Sequence, residues 1–369
     1  MPSLHRLVSA AGLVVAMAAV MAAGPATPPA PLQDVLDTPS APSARAQRTM
    51  VSSLARRGDR LVGVGPRGLV LLSVDGGGSW KQVPAPVSAD LVSVKFAAGD
   101  TVWAVGHDAV ALRSVDAGAT WERVLDGRSV LKLLRSTYGS AAQAGDARAK
   151  GMLDEFDRAM EQSATPGVLP APFLDVWFGA NGEGYLVGAF GLILRTADHG
   201  KTWAPWIEHV DNDSRFHLYG VSGTAERLYV AGEQGLLLRL DRQQGRFVKV
   251  DTPYKGTYFG VDVQPGRLLA YGLRGNVYLS RNDGQQWDKV DTGIDAHIVA
   301  AVNAGDDRVL LVSQAGHVLA LKPGSLKVQP LQVPFTSEVL SAVAAGSKGL
   351  VFGQINGIRV VELMGYSLQ

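Results

Sequence analysis

An eight-residue pattern recurs along this chain and restricts its fold more than any other feature: hydroxyl, gap, Asp, gap, Gly, gap, hydroxyl, Trp. It reads Ser73-Val74-Asp75-Gly76-Gly77-Gly78-Ser79-Trp80, then Ser114 through Asp116, Gly118 and Thr120 to Trp121, then Thr196 through Asp198, Gly200 and Thr202 to Trp203. A looser copy keeps Ser280, Asn282, Gly284 and Trp287. The order suits a tight β-hairpin. The carboxylate can accept from backbone N–H groups of the turn, the Gly can take φ > 0, and the Trp opens the return strand facing inward. Four copies at one spacing mark a repeat protein.

Each of these Asp boxes sits in a longer unit, clearest at 173–203. There Phe173 to Phe178, Gly184 to Gly188 and Leu192 to Thr196 read as three strands, and a fourth starts at Trp203. Four short strands in about 40 residues is one propeller blade. Further units cover 50–83, 91–124, 217–250, 258–290, 298–333 and 339–363. The box decays in the fourth unit (Asp241 to Phe247), and in the sixth Val328 takes the Trp position. The seventh shows only three strands, and the segment just before Met50 is expected to supply its fourth and close the ring. The fold class is therefore all-β, a seven-bladed β-propeller of four-stranded blades, occupying 47–369.

Two stretches fall outside the repeat. Ala147 to Glu161 places Met152, Phe156 and Met160 on one helical face with charges opposite, and Ser129 to Arg135 also reads as helix. Residues 128–172 are thus expected to be a mainly helical insertion between blades two and three. At the N-terminus a short stretch with Arg6 precedes an apolar, Ala-rich run from Leu7 to Ala23. That pattern predicts a signal peptide over 1–23, with an uncleaved anchor as the alternative, and a periplasmic or otherwise exported protein. Residues 24–46, rich in Pro, Ala and Ser, are expected to be a disordered linker.

Composition narrows the chemistry. Lys plus Arg (35) nearly cancels Asp plus Glu (34), which argues against a nucleic-acid partner. With no Cys there is no disulfide framework, thiolate metal site or Cys nucleophile. The histidines (His107, His199, His209, His217, His297, His317) lack zinc-site pairing, and the Asp boxes offer one carboxylate each, so no metal and no cofactor is expected. Gly63-Val64-Gly65-Pro66-Arg67-Gly68 matches G-x-G-x-x-G, but a strand follows where a dinucleotide site needs a helix. A glycosidase needs two positioned carboxylates, and no such pair stands out. Arg113, Arg195 and Arg239 are one repeat position copied.

The alternation of strand direction places the Gly-x-x-Gly hairpins on one face, together with the blade-to-blade connections and the insertion. The Asp boxes, with Asp75, Trp80, Asp116, Trp121, Asp198, Trp203 and Trp287, take a structural role on the other. Binding residues favour loops over a rigid scaffold. The candidate partner-binding set is therefore Arg67, His107, Asp108, Phe190, Glu233, Gln234, Arg274 and His317.

The combined unit V-G-x-x-G-x-[IL]-L-R-[ST]-x-D-x-G-x-T-W, as it stands from Val187 to Trp203 and from Val62 to Trp80, resembles the photosystem II stability/assembly factor family, part of the wider BNR/Asp-box group. The likeness covers nearly everything from about residue 50 to 363, and the Ala/Arg-rich leader and insertion suggest a non-photosynthetic bacterial member. It implies a seven-bladed lumenal or periplasmic propeller without enzymatic activity. The implied role is binding a membrane-protein intermediate or an exporter-type integral membrane protein during assembly. The family's associated basic patch maps here no further than Arg67 and Arg274. The alternative is a glycan-binding or glycan-hydrolysing Asp-box protein, sialidase-like, with a glycan as partner.

Overall fold

The structure, a computed structural model, describes residues 33–368 except 162, 164, 225, 306, 335–336, 347–348, 364–365 and 367. The expected signal peptide and the first part of the linker lie outside the described residues. From Asp34 onward the chain is one unit. Its strands form seven antiparallel sheets, six of four strands and one of three, each built from consecutive strands paired in chain order. This is the seven-bladed β-propeller. The innermost strands are Ser53–Arg57, Leu91–Phe96, Phe173–Phe178, Leu218–Gly223, Tyr258–Gln264, Ile298–Asn303 and Val339–Ala345. Second strands such as Gly184–Gly188 and Val309–Ser313 are buried throughout, because blades pack on both of their faces.

The Asp box is visible in atomic detail. The Asp116 carboxylate accepts from the Ser114 hydroxyl (2.8 Å), the Thr120 N–H (2.8 Å) and the Thr120 hydroxyl (2.6 Å). Ser114 Oγ in turn accepts from the Gly118 N–H at 2.8 Å, and Trp121 Nε1 donates to the Gly118 carbonyl at 3.1 Å. The Thr120 hydroxyl and N–H, together with the Ser114 hydroxyl, hold the Asp116 carboxyl down at about 2. Asp75 and Asp198 repeat the carboxylate bonds and the shift; the Trp bond recurs from Trp80 to the Gly77 carbonyl, whereas Trp203 Nε1 has no partner among the described residues. Asn282 accepts from Ser280 and from the Gln286 N–H without a charge. The box Gly also abuts the preceding blade: a Cβ on Gly118 would stand 2.7 Å from Val62, and one on Gly200 2.5 Å from Trp103. The box is a wedge between blades.

Ring closure differs from expectation. The segment before Met50 adds no strand to the last blade; Ala46–Arg48 forms a short 3-10 turn instead. Upstream, the chain is pinned along the outer edge of the first blade, with Ser43 N–H on Gln82 Oε1 (2.7 Å) and Ser40 N–H on the Ala85 carbonyl (3.0 Å). That path leaves no extended run to pair with Gly357–Glu362. The last and first blades join by packing of Val351, Val343 and Ile358 on Leu54 and Leu61, and by Val51 N–H donating to the Gln354 carbonyl at 2.9 Å.

Residues 33–46 are likewise not a free linker. Leu36 is 1% exposed, and Asp34 and Asp37 pair with Arg128 at 2.6 and 2.8 Å. One apolar anchor and three charges outweigh the linker-like composition.

The insertion is helical as expected: α1 spans Gly127–Gln143 and α2 spans Ala147–Glu161. Asp126 caps α1 in a reciprocal capping box with Ser129. Val130, Leu131, Leu134, Tyr138 and Met152 share a core with Leu169 at the end of the insertion and with Leu192 and Ile207 of the third blade, and Phe156 and Met160 pack against it. Tyr138 Oη donates to Glu208 at 2.5 Å.

Candidate functional site

The Gly-x-x-Gly motif builds the face opposite the Asp boxes. A Cβ on Gly65, Gly188, Gly232 or Gly272 would come within 2.2–2.6 Å of a carbonyl oxygen in the connection leading into an innermost strand. On Gly68, Gly235 and Gly275, all at φ near 70°, it would come within 2.0–2.1 Å of a carbonyl in the following connection. The residue before that second Gly is also left-handed: Arg67, Phe190, Gln234 and Arg274 have φ of 52–57°. Four of the expected site residues are therefore the tips of tight turns, pointing outward from backbone that favours glycine.

A second device brings side chains toward the pore. In six blades the innermost strand carries a bulge at its second residue: Val92, Leu174, Tyr219, Phe259, Val299 and Leu340. Each extra residue is half-buried, and in all but the last of these blades it lies between two buried neighbours. In the fourth and fifth blades these are aromatic, and with adjacent side chains they make a continuous run. Phe190 meets His217 edge-to-face at 4.9 Å, His217 meets Tyr219 at 6.1 Å, Tyr219 meets Phe259 at 5.7 Å, and Phe259 meets His297 at 5.9 Å. Phe190, at one end, is 62% exposed.

Polar groups fix the run. Glu233 accepts from the His217 N–H at 2.8 Å and faces His217 Nδ1 at 3.2 Å. His297 Nδ1 accepts from the Arg274 N–H at 3.2 Å. Burial, then the Glu233 charge, pushes the Tyr219 phenol up, so it stays protonated as a donor.

Phe190, Glu233 and Arg274 thus belong to one surface, with Gln234 exposed beside it. Arg67, His107 and Asp108 stand on the first two blades and do not join the run. Arg67 donates its N–H to Asp90 at 2.8 Å, and burial raises the Asp108 carboxyl, with Asp34 and Asp90 adding to it and His107 opposing. His317 turns back on its own hairpin, with Nδ1 at 2.9 Å from Ser313 Oγ. His217, Tyr219, Phe259 and His297 were not foreseen as site residues. The signal for Tyr219 and Phe259 is the shared Leu-Tyr-Gly-Val and Tyr-Phe-Gly-Val stretches at 218–221 and 258–261; the two histidines carry none.

The arginines of the repeat do not converge on a carboxylate site. Arg113 pairs with Glu122 at 2.6 Å, while Arg195 pairs with the buried Glu183 at 3.1 Å and lies over Trp206 at 4.7 Å. Inside the channel Asp175 ties three blades, accepting from Ser93 Oγ (2.7 Å), Lys95 Nζ (2.8 Å) and the Val221 N–H (2.9 Å). Tyr271 is held protonated by burial and by Asp262 and Asp175. Among the described residues no three His, Asp or Glu side chains gather as a metal site would require.

The family model described as photosynthesis system II assembly factor YCF48 matches residues 56–130 and 168–334. The chain belongs to that family. The unmatched gap is nearly the whole helical insertion. No curated protein matches the chain. Among solved structures, "YCF48 bound to D1 peptide" superposes with a TM-score of 0.57 at 15% identity, covering 86% of this chain and 94% of that one. YCF48 from Cyanidioschyzon merolae gives 0.56 at 16% identity, covering 86% and 96%. A streptogramin B lyase gives 0.63 at 11% identity, covering 86% and 94%, so the fold is shared with an enzyme as well. At these identities the superpositions bear on the fold alone.

Proposed function

We propose that this chain is an exported, non-catalytic propeller whose Gly-x-x-Gly face holds a segment of a membrane protein while a complex is assembled or stabilised. The observation that carries the reading is the aromatic run from Phe190 to His297, set on rigid inner strands and open at its Phe190 end. Exposed aromatic side chains on a rigid frame are characteristic anchors of protein interfaces. Membership of the YCF48 family supports it, as does a solved relative described as bound to a D1 peptide. The partner class is an integral membrane protein, of photosystem or exporter type. Export rests on the apolar segment from Leu7 to Ala23.

The glycan alternative draws no support from Arg113 and Arg195, which are engaged in local pairs, or from the rings, which meet mostly edge to face and offer no flat stacking platform. The test is affinity capture from solubilised membranes beside a fluorogenic glycoside panel. A reproducible integral membrane partner without glycoside turnover supports the proposal. Turnover abolished by changing one carboxylate on the Gly-x-x-Gly face would sink it.

A further inference from the structure

The insertion and the third blade together line a cavity of ≈ 210 Å³ that opens to solvent. Phe156 and Ala159 of α2 form one wall; Leu169, Ala189, Leu192 and Phe190 form others, with Glu155 and Arg215 paired at 3.3 Å on its rim. An apolar cavity of about 150 Å³ already takes a benzene ring. The α2 wall lies outside the part of the chain matched by the family model, so this cavity is an addition to the common fold.

Phe190 is shared between the cavity and the aromatic run, and its conformation is costly on two counts. It is a bulky non-Gly residue at φ 56°, and its ring is mostly in water. A bulky residue in the left-handed region carries backbone strain, and such strain is found at binding positions where the surrounding structure holds it. The equivalent tips carry Arg67, Gln234 and Arg274, which are polar and suffer no penalty for exposure.

The run leads from this cavity across roughly 20 Å of rings, the length of about six extended residues, to the tips of the fourth and fifth blades. There Lys255 and Arg274 stand exposed, and among the described residues neither makes an ion pair; in sequence the nearest acidic residues are Asp251, four before Lys255, and Asp283, nine after Arg274.

We infer that the cavity is a side-chain pocket for an extended peptide segment, taking one bulky apolar residue between α2 and Phe190. Acidic residues about six positions along the segment lie over Lys255 and Arg274. Apolar lining selects the anchor residue, and the two free cations select the charge at the segment's other end. This inference rests on the proposed protein-binding role and adds the chemistry of the segment.

The test uses the full chain and fluorescein-labelled decapeptides of Gly and Ser that carry one anchor (Trp, Phe, Leu or Ala) six residues from an Asp pair, in both chain directions. Bulky anchors are expected to bind at least tenfold tighter than Ala by fluorescence anisotropy. Ala159→Trp, which fills the cavity, and Phe190→Asn are each expected to erase that difference. Asn tolerates the left-handed turn, so Phe190→Asn is expected to raise Tm while it lowers affinity. Lys255→Glu with Arg274→Glu is expected to weaken every peptide alike. Affinity independent of the anchor, no binding across the panel, or Phe190→Asn binding as tightly as the parent would overturn the inference. A membrane partner held equally well by both pocket variants would refute the pocket alone. Anchor selectivity without any membrane partner would instead refute the proposed function.

Discussion

Trp103 gives the sharpest stability test, because it joins two blades and its surroundings are fully specified. It sits on the second strand of the second blade, 1% exposed, with Phe178 stacked at 4.8 Å and Trp203 edge-on at 5.8 Å, both from the third blade. A buried Trp removes about 150–250 Å² from water, worth roughly 4–6 kcal/mol at 25 cal/mol per Å². Trp103→Ala is therefore expected to cost about 4–5 kcal/mol, at the upper end for aromatic truncations. The Cα of Gly200 touches the same ring: a Cβ there would stand 2.5 Å from it, at φ 78°. Gly200→Ala alone should cost about 2–3 kcal/mol, part from the clash and about 1 from the left-handed backbone. Once Trp103 is truncated the methyl has space, and only the backbone part remains. Urea unfolding of the two single variants and the double variant should show about 1–2 kcal/mol of favourable coupling. Additive costs, or a Trp103→Ala loss under about 1 kcal/mol, would refute the wedge account of blade packing.

The Asp75, Asp116 and Asp198 carboxyls titrate at about 2 folded against 3.8 ordinarily, so the stability they contribute is complete above about pH 4 and lost as pH falls toward 2. Converting all three to Asn, as Asn282 already is, should flatten acid unfolding between those values, measured by tryptophan fluorescence; an unchanged acid limb would contradict the hydrogen-bond origin of the shift. Gly127 O accepts from Leu169 N–H at 3.2 Å, so the ends of the insertion already meet. Replacing 128–168 by a short Gly/Ser loop should leave a cooperatively folded propeller with a lower Tm, because Leu192 and Ile207 lose cover. Loss of the folded state would show that the helices belong to the ring.

What the sequence revealed depended on how local the physics was. Asp116 with Ser114 and Thr120, and Gly188 with Gly191, are closed systems of a few residues, so their role could be read from spacing. Leu36 and the Arg128 partners Asp34 and Asp37 become structural only through contacts roughly ninety residues away, and a Pro/Ala-rich stretch conceals them. Ring closure is non-local in the same way, since Gln82 and Ala85 decide the path of 40–48. At the candidate site Phe190, Glu233 and Arg274 were accessible as hairpin tips. His217 and His297 were not, because the residue ahead of each inner strand varies (Asp90, Pro172, Thr257) and shows no repeat signature. Tyr219 and Phe259 depend on the bulge, which reverses the side expected from simple alternation.

The central claim is that the Gly-x-x-Gly face, and not the Asp-box face, meets the partner. Both faces have exposed tips: Gln234 beside the aromatic run, and Val74 and Val115 on the Asp boxes, 58% and 65% exposed. A photoreactive benzoylphenylalanine placed singly at Gln234, Val74 or Val115, irradiated in intact membranes, reports contact directly. The account predicts a discrete adduct with one integral membrane protein from Gln234 and none from the two valine positions. Adducts from Val74 or Val115 with none from Gln234 would contradict it.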